Sequence, residues 1–140
     1  MYWGELFVNL ALSENGIDWE PILNDKGELL HVFKPSLNEF DSHLTEPGPP
    51  AFYTENRILL LYNGKNLQGE GASTEFAEGT YCGGQVLFDK NAPTKLLSRM
   101  KEPFICPRLR ERKSSYDLSE SHLPERAGRG KTKTIENKLR

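Results

Sequence analysis

Short apolar runs, separated by turn signals at close spacing, fill the first hundred positions of the chain. Residues 6–12, LFVNLAL, alternate imperfectly between apolar and polar and predict a half-buried strand. Ser13-Glu14-Asn15-Gly16 closes on Asn-Gly, the dipeptide that tight hairpin turns favour. Residues 17–23 predict a short second strand. Pro21 within it removes a ladder donor and assigns it to an edge or a strand end. Asn24-Asp25-Lys26-Gly27 is a second turn, and residues 29–33 are a third strand. Strands this close together leave no room for crossover helices, so the pattern predicts an all-β meander.

Residues 34–39 are a connector. A stretch from Phe40 to Asn63 follows, around which the rest is organised. Asp41, Ser42, His43, Thr45 and Glu46 crowd polar groups together, and Gly48-Pro49-Pro50 fixes the chain direction after them. Polar groups on a stiff loop beside a hairpin make a reasonable binding site. The hairpin is predicted from residues 51–53 and 58–62, across a turn at 54–57. Residues 64–79 form a polar loop with glycines at 64, 69, 71 and 79. Loops of that length in compact domains are functional or mobile. Residues 80–89 predict a strand in which Gly83-Gly84 marks a bulge or a close backbone approach. A turn at 90–93 leads to a last strand at 94–99, and no amphipathic helix is predicted before residue 107.

Charge divides the chain at the point where the pattern stops. Residues 1–107 carry 8 Lys/Arg against 15 Asp/Glu, a net −7, while residues 108–140 carry 10 against 5, a net +5. The second segment has few apolar residues and no alternation, so it is expected to be a disordered basic tail. Its phosphate-neutralising charge has only Tyr116 as an aromatic partner, and nucleic-acid binding is not expected. No window approaches the roughly 18 apolar residues of a membrane helix, and the N-terminus lacks the features of a signal peptide. Cys82 and Cys106 lie far apart with no CxxC spacing. That argues against a zinc ribbon or a disulfide scaffold and favours a reduced, cytoplasmic setting. The three histidines, His31, His43 and His122, are scattered and make no metal site. The glycines do not form a phosphate loop. Trp3 and Trp19 are expected to be packing residues.

Five motifs resemble glycoside hydrolase family 130 in matching order: YWGE at 2–5, S-x-x-G-x-x-W at 13–19, FDSHLTEPGPPA at 40–51, LLLYNGKN at 59–66, and GGQVLFDKNAPTKLLSRMKEPFICP at 83–107. The resemblance implies a five-bladed β-propeller with a sugar site in its central cavity, of which this chain would supply about two blades. It also implies β-mannoside phosphorylase or β-mannosidase activity. Two departures are visible. The chain is less than half a family domain, and the usual Asp general acid would lie upstream. After Pro107 the family continuation is replaced by the basic tail, as an out-of-frame reading would produce. The isolated polypeptide is therefore expected to be poorly stable and inactive.

The resemblance also assigns candidate residues. Phosphorylase members offer phosphate a Lys and a His at the positions that Leu44 and Asn63 occupy here. Leu44 donates nothing and Asn63 carries no charge, so hydrolysis is expected over phosphorolysis. An inverting glycosidase needs an acid and a base roughly 6.5–9.5 Å apart. Glu46 is the candidate for one of them, against the alternative of a rim glutamate facing solvent. Asp41, Ser42, His43, Asn63, Lys65 and Gln85 are candidate substrate contacts. The competing roles are local capping for Asp41, solvation for His43 and turn positions for Lys65 and Asn66. Tyr62 beside amide donors suits a sugar, or else ends a core strand. An oligosaccharide is the expected partner. No cofactor is implied, and inorganic phosphate enters only as a co-substrate of the phosphorolytic alternative. A non-catalytic carbohydrate-binding module is the remaining alternative.

Overall fold

A computed structural model describes residues 1–107 as nine strands, with no helix among the described residues. The segment 108–140, expected to be a disordered basic tail, lies outside the described residues. β1 (Tyr2–Trp3), β2 (Val8–Leu12), β3 (Glu20–Pro21) and β4 (His31–Phe33) form one antiparallel sheet around β2. β5 (Leu44–Pro47), β6 (Phe52–Tyr53), β7 (Arg57–Lys65), β8 (Tyr81–Asp89) and β9 (Leu96–Arg99) form the other. Its order is β5-β7-β8-β9, with β6 also pairing β7. The all-β expectation holds, and both sheets are open.

The period-2 rule builds the core. On β7 the residues Ile58, Leu60, Tyr62 and Gly64 point to one side, and on β8 so do Cys82, Gly84, Val86 and Phe88. They pack against Val8, Leu10, Val32 and Phe33 of the first sheet and Phe40 of the connection. Burying each large side chain of this set contributes about 1.5–3 kcal/mol. The opposite face of the second sheet carries Leu59, Leu61, Asn63 and Lys65 beside Tyr81, Gln85 and Leu87.

The structure corrects or refines several expectations. The loop predicted at 40–50 contains an edge strand, β5, in register with β7 from Leu44↔Lys65 to Pro47↔Tyr62. An edge strand tolerates Pro47 because no inner ladder position needs its missing N–H. The hairpin expected at Asn15-Gly16 forms between β2 and β3, but its loop is longer than two residues. Asn15 Oδ1 accepts from the Ile17 and Asp18 amides (both 2.9 Å), and pairing resumes only at Leu12↔Glu20. No bulge interrupts β7 and β8 at Gly83-Gly84. The irregularity lies in the β8–β9 ladder, between Leu87 and Phe88. The other reading of this pair, a close approach, holds at Gly84: a Cβ there would sit 2.6 Å from Tyr62 Cε1.

Cys82 and Cys106, expected to be unpaired, are joined by a disulfide. The physical reason is register. Gly83 bridges Ile105, so the two cysteines fall opposite each other with Cα atoms 4.4 Å apart. Trp3 and Trp19, expected to pack, are 37% and 42% exposed.

Replacing Gly84 with Ala pushes a methyl group into the Tyr62 ring. It is expected to cost about 1–3 kcal/mol, seen as a lower urea midpoint at unchanged denaturant slope.

Candidate functional site

The stretch from Phe40 onward is held from beneath by a buried charge. Asp41 is fully buried. Its Oδ1 is ion-paired with the Arg99 guanidinium and its Oδ2 accepts a hydrogen bond from Tyr62 OH at 2.7 Å. Arg99 lies over the Phe33 ring, 4.7 Å from its centroid, and donates to the Lys34 carbonyl at 3.1 Å. The cluster therefore ties β9, β7 and the end of β4 to one carboxylate. Gly64 makes room for it, since a Cβ there would collide with the Asp41 side chain. Burial, then the Asp41 charge, push the Tyr62 hydroxyl well above the ordinary tyrosine range.

A second buried network adjoins the first. Ser42 Oγ donates to Asn66 Oδ1 and accepts from the Leu67 amide, both at 3.0 Å. Asn66 is fully buried. Its Nδ2 donates to the carbonyls of Ser73 (3.0 Å) and Phe76 (2.9 Å), so one side chain fastens the loop between β7 and β8. These contacts correct the expectation for Asp41 and Ser42 as ligands at the surface. Both are buried, and their side-chain oxygens are used internally. Asn66, weighed as a turn residue, is the loop's anchor. His43 is exposed, and its amide extends the ladder by donating to Lys65 O at 2.8 Å.

The other candidates gather on the outer face of the second sheet. Glu46 lies opposite Asn63, and Leu44 opposite Lys65. Lys65 pairs with Tyr81, and its ammonium sits 5.1 Å from that ring's centroid. Gln85, opposite Leu61, completes the face. Directly opposed residues of antiparallel strands share a face, so register alone puts Glu46, Asn63, Lys65 and Gln85 on one face, with only Glu46 and Asn63 directly opposed. Glu46 is half-buried. A groove of about 460 Å³ opens beside Asn63, with Tyr81, Gly83, Phe104 and Ile105 among its walls. Glu46 is one strand over, outside that lining. Among the described residues, no three His, Cys, Asp or Glu side chains gather as a metal site would require.

Sequence reasoning missed Arg99 and Tyr81. Arg99 meets Asp41 across 58 positions of chain, so no local signal marks it. Tyr81 precedes the cysteine of β8, where strand alternation assigns it to the outer face.

Amides, a carboxylate and aromatics on one face of an antiparallel sheet offer hydrogen-bond donors and acceptors beside apolar planes. Solved structures narrow the class of protein. The chain matches a glycosyl hydrolase from Bacteroides ovatus at 50% identity and a TM-score of 0.73, over 76% of this chain and 30% of that one. It matches a candidate glycoside hydrolase from Parabacteroides distasonis at 54% identity and a TM-score of 0.74, over 76% and 31%. A third match, at 48% identity and a TM-score of 0.73 over 76% and 30%, comes from work on the GH130 family of mannoside phosphorylases. That work describes glycoside hydrolases of the family that target β-1,2 mannosidic linkages in Candida mannan. Over this matched portion the chain belongs to glycoside hydrolase family 130. No protein-family model and no curated protein matches it. The chain spans about 31% of the length of the solved structures it resembles.

Two predictions follow from the buried cluster. Asp41→Asn leaves the Arg99 charge without its partner, and is expected to cost about 3 kcal/mol of unfolding free energy in urea titration. The Tyr62 hydroxyl keeps its proton in the folded state to higher pH than in the unfolded chain. Above about pH 10 the unfolded state therefore binds fewer protons, and stability falls as pH rises. Tyr62→Phe is expected to flatten that fall between pH 9 and 11. Part of it is retained, because the half-buried Tyr2 hydroxyl is shifted in the same direction by its burial.

Proposed function

We propose that this chain is part of a carbohydrate-active enzyme that cleaves β-mannosidic linkages with water as the acceptor. The observation that carries the reading is the 48% identity to a family 130 structure from work on hydrolases that target β-1,2 mannosidic linkages. On this reading the two sheets are neighbouring blades of a five-bladed propeller, and the rest of the ring comes from sequence corresponding to the remainder of the relatives. Glu46 is one of the two carboxylates that inversion requires, held on an edge strand whose register is fixed by β7. Asn63 and Gln85 on the same face offer amide donors and acceptors to sugar hydroxyls.

Water is favoured over phosphate because Leu44 and Asn63 supply no cation at the two positions where phosphorylase members are expected to bind the anion. Phosphorolysis remains the second reading, and Lys65 is the observation that favours it. It is a cation on the same face as Glu46, though its ammonium rests on the Tyr81 ring.

The test is a chimera in which residues 2–107 replace the matching segment of a full-length family 130 enzyme. Incubated with β-1,2-mannobiose, it is expected to release mannose at the same rate with or without phosphate. Glu46→Gln is expected to lower that rate by about 10²–10⁴-fold. Formation of mannose 1-phosphate, or a Glu46→Gln rate near that of the parent, overturns the reading.

A further inference from the structure

The first sheet carries a polar-aromatic dish that the Glu46 face does not include. Trp3, Asn9 and His31 come from three different strands and stand in one cross-strand row, Trp3↔Asn9 and Asn9↔His31. The row lines a hollow of about 550 Å³ together with Glu5 and Phe7. That volume lies within the usual range of small-molecule sites, about 300–1,000 Å³.

Each member of the row has a defined chemical posture. The indole of Trp3 is 37% exposed, although a buried position is the usual fate of so large an apolar ring. Asn9 is only 5% exposed and sits between its two neighbours. Its Nδ2 donates to the Trp3 carbonyl at 3.4 Å, which turns Oδ1 toward His31 Nδ1 at 2.8 Å. That oxygen can only accept, so Nδ1 carries a hydrogen and, in the neutral ring, Nε2 presents a lone pair. Phe7 stacks on the imidazole at 4.5 Å between ring centroids and fixes its plane. The second Nδ2 hydrogen of Asn9 has no partner among the described residues, and Glu5 holds an exposed carboxylate at the rim.

We propose that this dish is a second saccharide-binding site, in which one pyranose ring lies against the Trp3 indole. Its hydroxyls donate to His31 Nε2 and the Glu5 carboxylate and accept from Asn9 Nδ2. An apolar C–H face opposite an aromatic plane, with hydroxyls around its edge, is the chemistry that the row complements. The proposal rests on the saccharide reading given above, but not on Glu46 or on any chemical step. The dish is also mechanically joined to the strand that carries Glu46. The Thr45 amide and its hydroxyl both donate to the Leu6 carbonyl in the dish wall, at 3.2 and 3.3 Å. Thr45 is the residue before Glu46, so a ring held in the dish is anchored to the same strand.

The test uses the full chain with Trp19→Phe, which leaves Trp3 as the sole indole reporter. Titration with β-1,2-mannobiose is expected to give a saturable change in Trp3 fluorescence. His31→Ala is expected to weaken binding about tenfold, the loss of one well-made hydrogen bond. Glu5→Gln, at an exposed position, is expected to weaken it several-fold. A flat titration in protein that retains the parent's unfolding midpoint overturns the proposal, as does unchanged affinity in Glu5→Gln. The chimera assay reads bond cleavage and this titration reads binding, so each can fail while the other succeeds.

Discussion

The structure depends on one buried ion pair. Asp41 has no contact with solvent, and a lone carboxylate in such a place would be strongly unfavourable. The Arg99 guanidinium and the Tyr62 hydroxyl occupy its two oxygens, so the charge is tolerated only when β9, β7 and the turn after Phe40 are all in place. Apolar burial drives the sheets together but specifies little about their relative register. A charge that must meet one particular partner specifies a great deal. Such pairs add less to net stability than their Coulomb energy suggests, because desolvation offsets most of it.

Everything at the surface of the second sheet inherits that constraint. The loop carrying Asp41 and Ser42 runs directly into β5, so pinning its start sets where Leu44 to Pro47 pair with β7. A slip of one residue would turn Glu46 to the core side and Thr45 outward. Thr45 has the fully buried position, with both its amide and its hydroxyl on Leu6 O, which opposes the slip from the other sheet. Asn66 does the same for the loop after β7, with one carboxamide serving four backbone partners. Rigid support under a polar face is what a binding surface requires.

The sequence showed the strand content well, because β7 and β8 alternate cleanly and their turns are rich in Gly, Asn and Asp. It concealed β5, because Pro47 and Gly48-Pro49-Pro50 have the composition of a loop and an edge strand does not exclude them. It misplaced Asp41 and Ser42 because a cluster of polar residues resembles a wet surface until its distant partners are known. Arg99 is 58 positions from Asp41, and Cys106 is 24 from Cys82. The disulfide is set by sheet register and the ion pair by the packing of β9 against the turn after Phe40, and neither leaves a local trace. Trp3 failed in the opposite direction: its size argued for packing, while a two-residue edge strand left it half outside. The family motifs identified the chain better than any of these patterns, since a motif encodes non-local constraints that composition and periodicity do not.

The most direct measurement is a double-mutant cycle on Asp41→Asn and Arg99→Met, with unfolding free energy taken from urea titration. If the buried pair organises the fold, the two substitutions are coupled by about 2 kcal/mol, the double variant losing far less than the sum of the singles. Losses that add to within about 0.5 kcal/mol would contradict the account, because they would show that the carboxylate and the guanidinium are held independently.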